Sequence, residues 1–128
     1  MHLLLPCDDI SFGDSRKIAA AICSEIHDVV PKITRTNVSV SSRGNLLYID
    51  SNQNDYADKV AAAYCVRAYH FPTVSTPLDW KEVNTKLNPS EFTIKTIAKR
   101  LEKKGDLFKN ILNEKIRIAN SKILKQFI

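Results

Sequence analysis

Pro6 and Pro31 do most to limit what this chain can fold into. A proline has no main-chain N–H to donate, and it steers the residue before it away from helix, so a regular element has to close at each one. Ahead of Pro6 there is room only for a short apolar strand, which we place at 2–6. Between the two prolines, Ile18, Ile22, Ile26 and Val29 recur at helical spacing. That spacing predicts a helix over 14–30, capped by Ser11 or Asp14 and stopped by Pro31.

Beyond Pro31 the period changes. Val38 and Val40 alternate with polar residues in 36–41, and the turn Ser42-Arg43-Gly44-Asn45 leads into the apolar run 46–50. This pattern predicts an antiparallel hairpin. The run 60–70 is ambiguous, since its three alanines favour helix while Tyr64, Val66 and Tyr69 favour strand. Asp79 can start a short helical turn, and Ser90 or Thr93 can cap a helix bearing Ile94, Ile97, Ala98 and Leu101, with Gly105 just past its end. Asp106 can cap a last helix with Phe108, Ile111, Leu112, Ile116, Ala119, Ile123 and Phe127 on one stripe. The 128 residues, 44% apolar and 26% charged, suit one core and one domain over 1–128. The fold class expected is α/β (α+β): a small, mostly antiparallel sheet with flanking helices.

The charge is divided unevenly. Residues 1–93 hold 9 Lys/Arg against 11 Asp/Glu, a net of −2, while 94–128 hold 10 against 3, a net of +7. A positive stretch of this kind can line a phosphate backbone, or it can be a solvated helix face. No stretch approaches the ~20 apolar residues of a membrane-spanning helix, and no basic leader with an apolar core follows Met1, so the expected location is the cytoplasm, away from membranes. Cys7, Cys23 and Cys65 are an odd number without metal-ligand spacing and are expected to be reduced. With only Gly13, Gly44 and Gly105, the chain cannot contain a glycine-rich phosphate loop or a nucleophile elbow.

Three residues could carry chemistry. Asp50 ends the apolar run Leu46-Leu47-Tyr48-Ile49, where it is either a ligand for a divalent metal, a partner of a neighbouring arginine, or an ordinary turn aspartate. Arg67 sits between Val66 and Ala68 in a strand-like run, placed to hold a carboxylate or phosphate in two-pronged fashion, or to pair with Asp50. His2 can touch a phosphate, act as a base, or lie idle on the surface.

The order of several strings is more specific than any single residue. Leu47-Tyr48-Ile49-Asp50 with Gln53-Asn54 is followed by Ala62-Ala63-Tyr64-Cys65-Val66-Arg67-Ala68 and Val74-Ser75-Thr76-Pro77-Leu78-Asp79-Trp80-Lys81-Glu82. Phe92-Thr93-Ile94 and Gly105-Asp106 close the series. Together these resemble the second half of the polymerase module of bacterial ligase D, a member of the archaeo-eukaryotic primase superfamily that works in non-homologous end joining. His2-Leu3-Leu4-Leu5-Pro6 is similar to that family's histidine-bearing strand.

The resemblance implies strand for 60–70, Asp50 as the third of three metal-binding carboxylates, Arg67 as an arginine of the nucleotide site, and His2 beside the triphosphate. It also implies nucleotidyl transfer with Mn or Mg, and DNA with phosphorylated ends and nucleoside triphosphates as partners. Lys95, Lys99, Arg100, Lys103 and Lys104 then become candidate nucleic-acid contacts. The family's other two carboxylates form an Asp-x-Asp pair upstream of the histidine strand, and Gln53 stands where some members carry arginine. One carboxylate cannot clamp two metals about 4 Å apart. The expectation is therefore a C-terminal half-core that is not catalytic alone and forms a homodimer or associates with a chain supplying the other half; the alternative is a non-catalytic nucleic-acid-binding or assembly module.

Overall fold

The structure is a computed structural model and describes every residue except 55, 69–71, 115, 118–120, 122–123 and 128. Its contacts divide the chain into two compact units, one made of Met1–Pro6 with Val60–Lys115, the other of Cys7–Lys59 with Ile116–Ile128. Both combine short strands with helices, so the class is the mixed α/β one expected.

In the Cys7–Lys59 unit, strand β1 (Cys7–Asp8) precedes helix α1 (Phe12–Val29). Ser11 caps α1, its Oγ accepting the Asp14 N–H at 3.0 Å. Only the first half of the predicted apolar stripe is used. Ile18 is buried against Leu124, with Cys7, Ile10, Ile22 and Phe127 around them, whereas Ile26 and Val29 are exposed. After the helix, Thr34 is the most deeply buried of the described residues: its hydroxyl donates to the Val30 carbonyl at 2.8 Å and meets His27 Nδ1 at 2.8 Å.

The hairpin expected from 36–41 and 46–50 does not form. Strand β2 is Thr34–Arg35 and pairs in parallel with β3, Leu47–Tyr48. The reason lies in the serines between them. Ser39 N–H donates to the Asn37 side chain at 2.9 Å, and Ser42 Oγ donates to the Ser39 carbonyl at 2.9 Å. These local bonds compete with a ladder and fold Val40–Ser42 into a 3-10 turn.

The Val60–Lys115 unit is built on strands β4 (Val66–Arg67) and β5 (Thr73–Val74), an antiparallel pair that sets Arg67 opposite Thr73. The strand predicted over 60–70 is therefore shorter, and the reading of 2–6 as a strand also fails, since regular pairing begins only at Cys7. Tyr64 explains the first difference: its φ of 63° is left-handed, which interrupts an extended run, although its N–H still reaches the Ser75 carbonyl at 2.7 Å. Val74, buried, anchors the pair.

Two 3-10 turns, Trp80–Glu82 and Pro89–Glu91, lead to helix α2 (Ile97–Lys104). Gly105 ends α2 at φ 70°, with its N–H on the Leu101 carbonyl at 2.8 Å, as its position in the sequence suggests. Asp106 Oδ1 then caps the Phe108 N–H at 2.9 Å, but helix α3 runs only from Lys109 to Asn113. The long last helix is corrected to this short one plus strand β6 (Ile116–Arg117), which pairs in parallel with β1, and a 3-10 turn at Leu124–Phe127. Glu114 has already turned extended, and the β-branched Ile116 that follows suits a strand. Lys115, Ala119, Lys122 and Ile123 of that predicted helix, like Tyr69 of the earlier run, lie outside the described residues. Among the described residues the sheet organisation is thus three two-stranded pairs, one antiparallel and two parallel.

Candidate functional site

A groove of about 490 Å³ opens in the Val60–Lys115 unit. His2 and Arg67 both line it, together with Ser75, Thr76, Trp80 and Phe92. Each is placed by a distinct local cause. Antiparallel pairing with β5 sets Arg67, half-buried, at the groove wall. The Thr76 hydroxyl donates to the Val74 carbonyl at 2.9 Å, which folds the chain just beyond β5. Trp80 projects from a 3-10 turn whose N-terminal end is closed by a reciprocal capping box: Asp79 Oδ1 accepts the Lys81 N–H at 3.0 Å, and Glu82 Oε2 accepts the Asp79 N–H at 2.9 Å. The turn leaves Trp80 74% exposed, so a large aromatic face lines the same groove as Arg67.

Glu82 does more than cap. Arg100 grips it with two bonds, Nη1 to Oε1 at 2.7 Å and Nη2 to Oε2 at 2.6 Å, and Lys104 adds a third contact to Oε1 at 2.9 Å. The Arg100 hydrogen bonds hold the Glu82 carboxyl far below the usual glutamate range, and Glu82 in turn raises Arg100. Tyr64 and Asp106 form a second brace, hydroxyl to Oδ1 at 2.7 Å, which lowers Asp106, while burial and then this bond raise Tyr64. The five basic candidates therefore separate into two kinds. Arg100 and Lys104 are paired with Glu82, while Lys95, Lys99 and Lys103 are exposed and follow one another every four residues through the turn into α2 and along it.

Asp50 belongs to the other unit. It is exposed; its Oδ1 accepts the Asn52 N–H at 3.0 Å and the Tyr48 hydroxyl at 3.3 Å, so it closes a turn. Asn52 Nδ2 donates to the same hydroxyl at 3.1 Å, and the Arg43 guanidinium lies 3.9 Å over the Tyr48 ring. Burial and the Asp50 charge push the Tyr48 phenol up. Among the described residues, no group of three or more His, Cys, Asp or Glu side chains converges as a metal site. Among the described residues, the side chains hydrogen-bonded around Asp50 add only a phenol and an amide to its one carboxylate, which does not fit a two-metal clamp. The sequence alone does not single out Glu82 and Trp80 as site residues. The Asp79-x-x-Glu82 capping spacing is visible there, but the partner Arg100 lies 18 positions away and no local pattern points to it.

Comparison with known proteins gives concordant results. Residues 1–108 match the family model described as LigD, primase-polymerase domain. The bifunctional non-homologous end joining protein LigD of Bacillus subtilis is 26% identical over 118 residues, covering 89% of this chain and 19% of that protein. The multifunctional non-homologous end joining protein LigD of Mycolicibacterium smegmatis is 28% identical over 109 residues, covering 84% and 14%. The chain thus spans about a fifth or less of the length of the curated relatives it matches. A solved structure of the polymerase domain from Mycobacterium tuberculosis ligase D in complex with DNA superposes with a TM-score of 0.75 at 20% identity, over 84% of this chain and 37% of that one. That likeness establishes the shared fold. No helix among the described residues is long and apolar enough to cross a membrane.

Proposed function

Because this chain belongs to the LigD primase-polymerase domain family, we propose that it is a partial polymerase module of non-homologous end joining, binding a nucleoside triphosphate and a DNA end without extending a primer by itself. The observation that carries this reading is that His2 and Arg67, far apart in sequence, line one groove. Arg67 offers a planar, permanently charged fork to phosphate oxygens, and His2 adds a second donor to the same anion. Trp80, which lines the same groove, offers a face for a base. Lys95, Lys99 and Lys103 form the row that would follow a DNA backbone.

Asp50 is the residue this chain would contribute to a divalent metal, Mn or Mg. Among the described residues its surroundings supply too few anionic oxygens to hold one unaided, so primer extension would require carboxylates from a second chain or another part of a longer one. A homodimer, or pairing with a chain that supplies the remainder, follows from the same need. The exposed apolar side chains Leu3, Leu4 and Leu5 on one unit and Val38, Val40 and Leu47 on the other support such an association.

The test is triphosphate binding measured at equilibrium for the chain and its Arg67→Ala variant, followed by primer extension with manganese on gapped, 5′-phosphorylated DNA, alongside Asp50→Ala. Binding that Arg67→Ala weakens at least about tenfold, with no extension, supports the proposal. Extension that depends on Asp50 would overturn the claim of incompetence. DNA binding with a steep salt dependence and no triphosphate binding would favour a non-catalytic nucleic-acid-binding or assembly module, a reading that the exposed lysine row and the poor metal donor set also support.

A further inference from the structure

Three segments of the Val60–Lys115 unit meet at one guanidinium. Arg100 binds both oxygens of Glu82, and its Nη2 also donates to the Pro77 carbonyl at 3.0 Å. The same guanidinium lies 5.2 Å from the centre of the Phe92 ring, and its side chain is only 16% exposed. Phe92 belongs to the groove wall, and its carbonyl accepts the Val74 N–H at 2.7 Å, one residue from the Thr73 that faces Arg67. Pro77 and Glu82 bracket the turn that carries Trp80. Arg100 therefore ties helix α2 to both ends of the Trp80 turn and to the edge of the strand pair bearing Arg67. A phosphate reaching for this arginine would have to displace a carboxylate bound in two-pronged geometry, leaving the half-buried Glu82 to Lys104 and the Asp79 N–H.

We propose that Arg100 is a positioning residue: it clamps the Pro77–Glu82 wall against α2 and so sets the geometry of the groove, and it does not contact nucleic acid. Lys104 assists by sharing Glu82. The ligand named here rests on the reading of the groove as a triphosphate site, whereas the clamp itself rests on the contacts of Arg100.

Trp80 is the single tryptophan of the chain, so its emission and its quenching by acrylamide report on the clamped wall with no ligand present. The experiment compares the full chain with its Arg100→Gln, Arg100→Lys and Lys99→Gln variants, each checked for folding by circular dichroism. Three quantities are read: Trp80 quenching, affinity for a nucleoside triphosphate, and the salt dependence of DNA affinity. Arg100→Gln is expected to alter Trp80 quenching and to lower triphosphate affinity about tenfold, as loss of a supporting group does. Arg100→Lys, which keeps the charge but not the fork, should recover part of both. The salt slope should stay at the wild-type value in both Arg100 variants and fall by about one in Lys99→Gln.

Unchanged Trp80 quenching in a folded Arg100 variant overturns the proposal, and so does a salt slope reduced as in Lys99→Gln. Should the wild-type chain bind no triphosphate, the nucleotide reading fails while the clamp is still decided by Trp80. If Arg100→Gln does not fold, Arg100→Lys decides the matter by the same two readouts.

Discussion

At the scale of single residues, the chemistry of this protein is dominated by who holds which charge. Glu82 has its carboxyl depressed below the ordinary value of 4.5, first by the Arg100 hydrogen bonds and then by Lys104. A carboxyl that is more acidic folded than unfolded contributes stability in full above its unfolded value and loses it as pH falls towards the folded one. Thermal unfolding of the chain should therefore drop in temperature progressively below about pH 4.5, and Glu82→Gln should make that decline shallower. At neutral pH the same variant leaves Arg100 without its charged acceptor and should be less stable by about 2 kcal/mol in a denaturant titration. Asp50 stands in contrast, since its bonds are to a main-chain N–H and a phenol in its own turn. Asp50→Ala should cost less than about 1 kcal/mol, so any loss of manganese-dependent behaviour in that variant can be read as loss of a ligand.

At the scale of elements, two ends decide where helices stop and start. Ser11 satisfies one of the orphan N–H groups of α1, and Ser11→Ala should destabilise the chain by about 1 kcal/mol, measured by urea unfolding. Gly105 closes α2 with a φ of 70° and open space where a side chain would stand. Gly105→Ala therefore tests backbone strain alone, and an expected loss of about 2 kcal/mol reflects the positive φ and not a clash. The cluster of Ile18 and Leu124 is small, so Leu124→Ala removes much of what holds the C-terminal 3-10 turn to α1. A loss of about 3 kcal/mol is expected from the missing burial and the cavity left behind.

For the whole molecule, the distribution of charge and apolar surface matters more than any one contact. The C-terminal quarter carries the positive charge, and three of its exposed lysines, Lys95, Lys99 and Lys103, follow one another at four-residue spacing. Replacing all three with glutamine should lower the slope of log affinity against log salt by about three for double-stranded DNA, since each phosphate neutralised releases about one counterion. Exposed leucines and valines at 3, 4, 5, 38, 40 and 47 belong to the surface of a chain that covers only 37% of the solved polymerase domain it resembles. Sedimentation at rising concentration should accordingly reveal association, and Leu4→Asp with Leu47→Asp should reduce it.

Helix α1, its Ser11 cap, the stop before Pro31, the turn at Asp79 and the Gly105 terminus were all legible in the sequence, as was the family. Each of those features depends on residues within about four positions of one another, or on short strings in a fixed order. The pairing of strands was not legible. Val38 and Val40 have the alternation of a strand, yet the Ser42 and Asn37 side chains beside them bond to the local backbone and the ladder forms at Thr34–Arg35 instead. The last helix shows the same limit, because an apolar stripe at helical spacing says nothing of whether Ile116–Arg117 will find Cys7–Asp8 and pair with it. His2 and Arg67 could be named from the sequence, but that they line one groove, and that Arg100 rather than Lys99 is held by Glu82, was decided by contacts between residues distant in the chain. Local sequence fixes hydrogen bonds and caps within a turn or two; which distant carboxylate meets which guanidinium depends on the packing that brings them together.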